Sequence, residues 1–415
     1  MPSRFSGYQW VPYVFWVLAF AAIPVWNASF PGLDNDAKIY LNTIHSIQAG
    51  HDPYADGIAT TTAFHNQPVQ CPYAQPINPY IYSPITLPLL RLIGLFPALL
   101  YIWGYWLIYA AGALALIWVG MQATEPKERR VFAFLAPAAP FFPGLLQTST
   151  LMCGNIAFIL YGLIFVAAMR GWRRGRWNWF YLAVLAASCF KIQLLSLLAI
   201  PILSARRQWL PSCTTAFAGV AIFVMQLWLW PAYFHNYLHV IELQFSYNHD
   251  FGSSLAGLFS KIVLNAGLPY STASTIFYIL YALLILGVLL YLSRQFLGGK
   301  FPLMQWIPVM VIGIILLNPR IQEYDYAPVT LFMALILWRC MASLTSPARA
   351  IFSSFLFFAV VNVIVVLIPP IDTSSFYLKC IQCFLLAGAF AAGCWNLLRQ
   401  TRESAISAGI PSTIG

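Results

Sequence analysis

The sequence predicts an all-α polytopic membrane protein, and three observations carry that prediction. Of the 415 residues, 60% are hydrophobic and only 8% are charged, whereas a soluble domain carries about 25% charged residues. So few charges cannot build a solvated shell, so most of the surface must face lipid. Apolar runs of spanning length recur along the chain, and the basic residues lie in short clusters between them, as they do in cytoplasmic loops. The net charge of +10 therefore reflects topology rather than nucleic-acid binding.

The elements follow in order. The run at about 11–27 reads as an uncleaved first span, because no small-x-small cleavage site precedes the loop that follows. The first outer loop covers 28–83, and within it Ala37–Gln48 reads as an amphipathic helix. A short apolar piece, 84–96, precedes a span at 99–120 and the mixed cluster Lys127, Glu128, Arg129 and Arg130. Spans at 131–149 and 154–169 lead to RGWRRGR, Arg170 to Arg176. Two short segments, 177–190 and 192–204, end at Arg206 and Arg207. A span at 212–231 opens a second outer loop, 232–262, and spans at 275–293, 302–317, 325–339, 351–369 and 380–397 follow. Further outer loops fall at 318–325 and 370–379. About 12 transmembrane helices (11–13), with amphipathic helices in the first outer loop, form a single domain over 1–400, followed by a cytoplasmic tail, 401–415, expected to be disordered.

With a cytoplasmic N-terminus, 16 of the 22 Lys and Arg residues fall inside. Nine of the twelve acids and all six histidines fall outside. The positive-inside rule thus places nearly every group suited to acid–base chemistry on the outer face. The segment Tyr181–Leu203 is decisive for this parity. A single crossing would put one of its two strongly basic flanks outside. A hairpin turning at Lys191 avoids that, with arms of about 14 residues, or roughly 21 Å at 1.5 Å per residue. Such arms are shorter than the ~30 Å bilayer core, so Lys191 lies below the outer interface.

A lysine at that depth is a functional hypothesis by default. The bland reading is a snorkelling or ion-paired structural lysine, and the sharp one is an anion partner, such as a lipid phosphate, with Gln193 adding a neutral donor. The first outer loop gathers four carboxylates, Asp34, Asp36, Asp52 and Asp56. Asp36 reads either as a solvated acid or helix N-cap, or as a catalytic base; the cap suits Asp34 at least as well. Asn248-His249-Asp250 precedes Gly252-Ser253-Ser254-Leu255, a turn ahead of an amphipathic helix. NPRIQEYDY carries Arg320, Glu323 and Asp325: a local Arg320–Glu323 pair, or Arg320 as a planar fork for phosphate oxygens. Gly154-Asn155 opens a span as a helix cap.

Of the eight cysteines most lie in apolar runs, where Cys behaves as a small hydrophobe. Cys380 and Cys383 form C-x-x-C with no second Cys or His pair nearby, so neither a metal site nor a disulfide framework is indicated. Asp34-Asn35-Asp36 has the D-x-D form but is not read as a metal site. There is no Walker loop, Rossmann glycine fingerprint, H-E-x-x-H or G-x-S-x-G.

The order of motifs along residues 10–340 resembles glycosyltransferase family 87, of the C-type membrane glycosyltransferase superfamily. The motifs are D-x-x-x-Y (Asp36 to Tyr40), G-x-x-P-Y (Gly50 to Tyr54), Tyr82-Ser83-Pro84, Gly154-Asn155, and Lys191 at the end of a short apolar arm. Ser254 to Gly257 (S-L-x-G) and Asn318-Pro319 followed by Tyr324-Asp325 complete the order. The chain departs from the family pattern at Ser83, where Pro is usual, and at Ile192-Gln193-Leu194, where a proline often follows the lysine. The resemblance implies a C-type glycosyltransferase fold and a transferase moving a hexose, most often mannose, from a polyprenyl phosphate. The acceptor is a hydroxyl of a glycolipid or glycan outside the membrane, and the chemistry inverts the anomeric carbon. On that reading Asp36 is the catalytic base, and Lys191, Gln193, Arg320, His249 and Asn155 bind the donor phosphate or sugar. Tyr40, Tyr54, Tyr82, Ser254, Glu323 and Asp325 are acceptor or structural residues near the site. No cofactor or metal is implied, the partners are the lipid-linked donor, the acceptor and membrane lipid, and the place is a bacterial inner membrane with the site on its periplasmic face. The rival readings are a transporter or flippase of lipid-linked sugars, which would be expected to show internal repeats, and a ligase or polymerase using a lipid diphosphate.

Overall fold

Among the described residues, four helices are long and apolar enough to cross a bilayer: Ala98–Gln122, Trp209–Leu229, Thr272–Leu297 and Lys379–Arg402. They belong to a computed structural model that describes residues 10–18, 21, 35–66, 79–136, 153–248, 252, 254–265, 270–346 and 349–407, except 351, 355, 358, 361–362 and 364–371. Among the described residues the structure is helical, with one isolated bridge between Gly252 and Ile321 in place of any strand. The expected spans at 131–149 and 351–369 lie largely outside the described residues. In chain order the helices are α1 (Asn35–Gln48), α2 (Pro53–Asn66), α3 (Leu87–Ile93), α4 (Ala98–Gln122), α5 (Arg129–Leu135), α6 (Ala157–Arg174) and α7 (Asn178–Ser188). After these come α8 (Ala199–Ser204), α9 (Trp209–Leu229), α10 (Pro231–Asn248), α11 (Leu255–Asn265), α12 (Tyr270–Leu297), α13 (Leu303–Leu316), α14 (Thr330–Leu344) and α15 (Asp372–Ser407).

The short α13 is the centre. Trp306 through Leu316 are all buried, as an all-round apolar helix demands. It packs against α12, α14 and α15. By contrast α9 leaves Trp209, Phe217 and Trp228 exposed, the surface expected of a helix facing lipid. Helices α4 and α6 pack most closely of all. Added Cβ atoms at Gly112 and Gly162 would each lie 2.6 Å from a backbone oxygen of the other helix, the small-residue contact by which membrane helices approach each other.

Two ends can be told apart by their side chains. At one end Arg339 grips Glu128 through two hydrogen bonds (2.9 and 2.8 Å). Gln122 accepts from Arg173 there, and Arg206 donates to the carbonyl of Leu297. At the other end lie α1, α2, Lys191 and the 3-10 turn Glu323–Tyr326. The chain between Tyr181 and Gln208 doubles back: α7 runs to Lys191, a 3-10 stretch Ile192–Leu198 and α8 return, and the Tyr181 hydroxyl meets the Gln208 side chain at 3.0 Å. The hairpin inferred from basic flanks is therefore the observed path.

The second outer loop, 232–262, is mostly helix: the amphipathic helix expected after Gly252-Ser253-Ser254-Leu255 is α11, and α10 precedes it. The last helix continues through Ser407, beyond the position where a disordered tail was expected to begin.

Candidate active site

The site is built around one turn. Residues Cys153–Ile156 lead into α6, and each is fastened to a different group. The Cys153 carbonyl accepts from the Ala37 N–H (2.9 Å). The Gly154 carbonyl accepts from the Tyr105 hydroxyl. Asn155 Nδ2 donates to Asp36 Oδ2 at 2.8 Å. The Ile156 N–H donates to the Tyr40 hydroxyl at 3.1 Å. Gly154 has φ +70°, and an added Cβ would lie 2.9 Å from both Ala37 Cβ and the Trp106 ring, so glycine is required on conformational and steric grounds.

Asp36 lies in the first turn of α1 and is half-buried. It is not the helix cap that the sequence allowed; its carboxylate reaches Asn155 across 119 residues of sequence. Asn155 is buried, and its Oδ1 accepts from the Ala157 N–H (2.9 Å) and from Lys191 Nζ (3.4 Å). Lys191, also buried, stands 4.0 Å from Asp325 Oδ1 and 3.7 Å from the centroid of the Tyr324 ring. Of the two readings of Lys191, the pairing is therefore present, and it engages the ammonium from three sides.

Asp325 is fully buried. It accepts from the Tyr161 hydroxyl (3.1 Å) and, through Oδ2, from the Gln322 N–H (3.0 Å), which closes a reciprocal cap on the turn Glu323–Tyr326. It is a structural anchor as well as the counter-charge of Lys191. Arg320 and Glu323 are half-buried on the same loop, and the charge of Arg320 acts on Lys191. Gln193 lies half-buried on the 3-10 stretch just after Lys191. Ser254 caps α11 by accepting from the Gly257 N–H (2.9 Å), and donates to the Pro319 carbonyl (2.5 Å), tying α11 to the Arg320 loop. His249 lies outside the described residues.

The three expected tyrosines form one buried chain. Tyr40 and Tyr82 share a 2.7 Å hydrogen bond between hydroxyls, and Tyr54 donates to the Tyr82 carbonyl at 2.6 Å. Burial pushes the phenols of Tyr40 and Tyr82 well above their ordinary range, so both stay protonated and neither can serve as a base at neutral pH. Three contributors were not singled out in the sequence: Cys153, whose thiol also bonds Asp36, and Tyr105 and Tyr161; Tyr324 entered only as a motif residue, with no role assigned. A tyrosine inside an apolar run is the signal that could have found Tyr105 and Tyr161, because a buried phenol needs a partner.

Beside this cluster an apolar groove of about 520 Å³ opens between α1, α3, α4 and α6. Its rim carries Leu89, Leu100 and Ile108, exposed like the lipid-facing surface. Its lining includes Ala37, Ile156 and Phe190, the immediate sequence neighbours of Asp36, Asn155 and Lys191. No group of His, Cys, Asp and Glu suited to holding a metal occurs among the described residues.

The fold and site define a helical protein with membrane-spanning segments and a carboxylate–amide–ammonium cluster beside an apolar groove. The chain belongs to glycosyltransferase family 87, whose sequence profile it matches over residues 80–317, and it is a glycosyltransferase. The match contains Tyr82, Asn155, Lys191, Gln193 and Ser254, and lies between Asp36 on one side and Arg320 and Asp325 on the other. No curated protein and no solved structure matches the chain.

Proposed function

We propose that the chain is an inverting transferase of the C-type fold, with about twelve spans. It moves a hexose, mannose being favoured, from a polyprenyl phosphate donor to an acceptor hydroxyl of a glycolipid or glycan. The reaction takes place on the outer face of a bacterial inner membrane, with both termini cytoplasmic. The observation that carries the reading is the groove. It leads from the lipid-facing surface to the neighbours of Asp36, Asn155 and Lys191, which suits a substrate whose tail stays in the bilayer while its head reaches a polar cluster.

Asp36 is the base. It takes the proton of the acceptor hydroxyl as that oxygen bonds to the anomeric carbon. The bond from that carbon to the phosphate oxygen breaks at the same time, and its electron pair leaves with polyprenyl phosphate. This leaving group is stable as an anion, so no general acid is needed. Lys191 and Arg320 face the charge that grows on it, with Gln193 as a neutral donor. One base and one face of attack give inversion, whereas retention calls for two carboxylates about 5 Å apart. Tyr54 and Tyr82 hold the wall of the site, and Asn155, with both ends of its amide engaged, is not used to bind donor.

Purified protein offered a panel of polyprenyl phosphate sugars should transfer one of them, and should release polyprenyl phosphate. Transfer only from nucleotide sugars, or only from lipid diphosphates, would overturn the reading.

A further inference from the structure

We propose that Asn155 is a positioning residue that fixes the carboxylate of Asp36 for proton transfer, using Lys191 and the start of α6 as its anchor. This rests on Asp36 being the base. The amide can point only one way. Reversed, its oxygen would face the Asp36 carboxylate and its NH2 would face the Lys191 ammonium, and both contacts are repulsive. In the observed orientation the oxygen is held by Ala157 N–H and Lys191 Nζ, and the nitrogen is left to donate to Asp36. The backbone carrying the amide cannot drift from α1, because Cys153 and Ile156 are bonded to Ala37 and Tyr40 of that helix.

Asp36 needs such a hold. It is only half-buried, and an acid in the first turn of a helix is drawn to the helix's own unpaired N–H groups. A carboxylate turned toward those groups would face away from an acceptor in the site. Asn155 draws it toward the start of α6, where the neighbouring Ile156, with Ala37, lines the groove. Among the described residues, the ionisable groups that interact electrostatically with Asp36 include Tyr40 on its own helix, Tyr82, Tyr105 and Tyr109 of α4, Cys153, Tyr324 and Lys191.

Two substitutions test the role together. Asn155→Ala removes the amide donor from Asp36 and leaves it only the Cys153 thiol: kcat should fall by about 10- to 100-fold, as for a small misplacement of a reacting group, with the KM for donor unchanged. Asn155→Asp keeps the shape but sets two carboxylates a hydrogen bond apart, where they cannot both ionise. The Lys191 ammonium favours charge on the introduced carboxylate, so the shared proton rests on Asp36 and blocks it as a base. Activity should be low at neutral pH and recover as pH rises, moving the acid limb by about a unit or more. A purely structural residue would lower both variants with one unshifted profile. If Asn155→Asp does not fold, Asn155→Ser carries the test: its hydroxyl can still donate, and kcat should lie between that of Asn155→Ala and the wild type. Asn155→Ala within twofold of wild type, or Asn155→Asp with an unshifted acid limb, overturns the proposal. An active Asp36→Asn would instead overturn the base itself, so the two failures are separable.

Discussion

Removing Asp325 should be among the most damaging single changes in the protein, and the structure says how the damage should be repaired. Lys191 and Asp325 are 6% and 0% exposed, with Nζ and Oδ1 4.0 Å apart. Two unit charges at about 4 Å attract by about 4 kcal/mol at an effective dielectric constant of ~20. Breaking a buried pair by deleting one partner costs about 3–5 kcal/mol, because the survivor stays buried and uncompensated. Asp325→Ala also strips the acceptor from the Tyr161 hydroxyl and from the Gln322 N–H, at about 1 kcal/mol for each lost hydrogen bond. Arg320 would then oppose Lys191 with its own charge. Lys191→Met removes the ammonium at similar volume. If the pair is the source of the cost, Asp325→Ala with Lys191→Met is more stable than the sum of the singles predicts, by about 1–3 kcal/mol. The assay is a double-mutant cycle on equilibrium unfolding in mixed micelles, read by tryptophan fluorescence. Additive effects within about 0.5 kcal/mol would refute the ion-pair reasoning and leave Asp325 as a turn cap alone.

Other outcomes follow from single contacts. Gly104 lines the groove, and a Cβ built on it meets nothing within 4 Å. Gly104→Leu should therefore fold normally, gain helix propensity of up to about 1 kcal/mol, and raise the KM for long-chain donors about tenfold while sparing short-chain ones; an equal effect on both would argue against a tail in the groove. Gly252 has φ +70°, and an added Cβ would stand 2.0 Å from the Ile321 carbonyl, so Gly252→Ala must break the bridge that aligns the Arg320 loop and should lower both thermal stability and turnover. Ser254→Ala removes the α11 cap and the tie to Pro319, and should cost about 1 kcal/mol in unfolding experiments, the usual worth of an N-cap.

Much of the architecture was legible because charge in so apolar a chain is informative. The basic flanks at Arg170–Arg176 and Arg206–Arg207 forced the hairpin at Lys191, and the Tyr181–Gln208 contact closes it. Motif order alone brought Asp36, Asn155 and Lys191 into one reading, and the structure brings the three side chains together. What the sequence could not convey is who holds whom. The contact between Asp36 and Asn155 spans 119 residues, and no local pattern encodes it. Asn155 read equally as a helix cap and as a donor ligand, since the same amide serves both, and only the geometry shows it facing a carboxylate. Asp325 read as a site residue because it is an acid in an outer loop; its complete burial made it an anchor. Helix α10 was hidden by His235, His239 and Glu242, polar residues that interrupt the apolar period a helix needs to be recognised, whereas α11 follows the turn from which a helix was expected.

The central claim is that Asp36 is the base of a lipid-phosphate-dependent sugar transfer. Its most direct test is the single-turnover rate of sugar transfer from a polyprenyl phosphate sugar by Asp36→Asn, in protein shown by thermal midpoint to be folded. General-base catalysis is worth about 10²- to 10⁴-fold, so the account predicts a loss of that size with the KM for donor nearly unchanged. Transfer at the wild-type rate in the folded variant would contradict it.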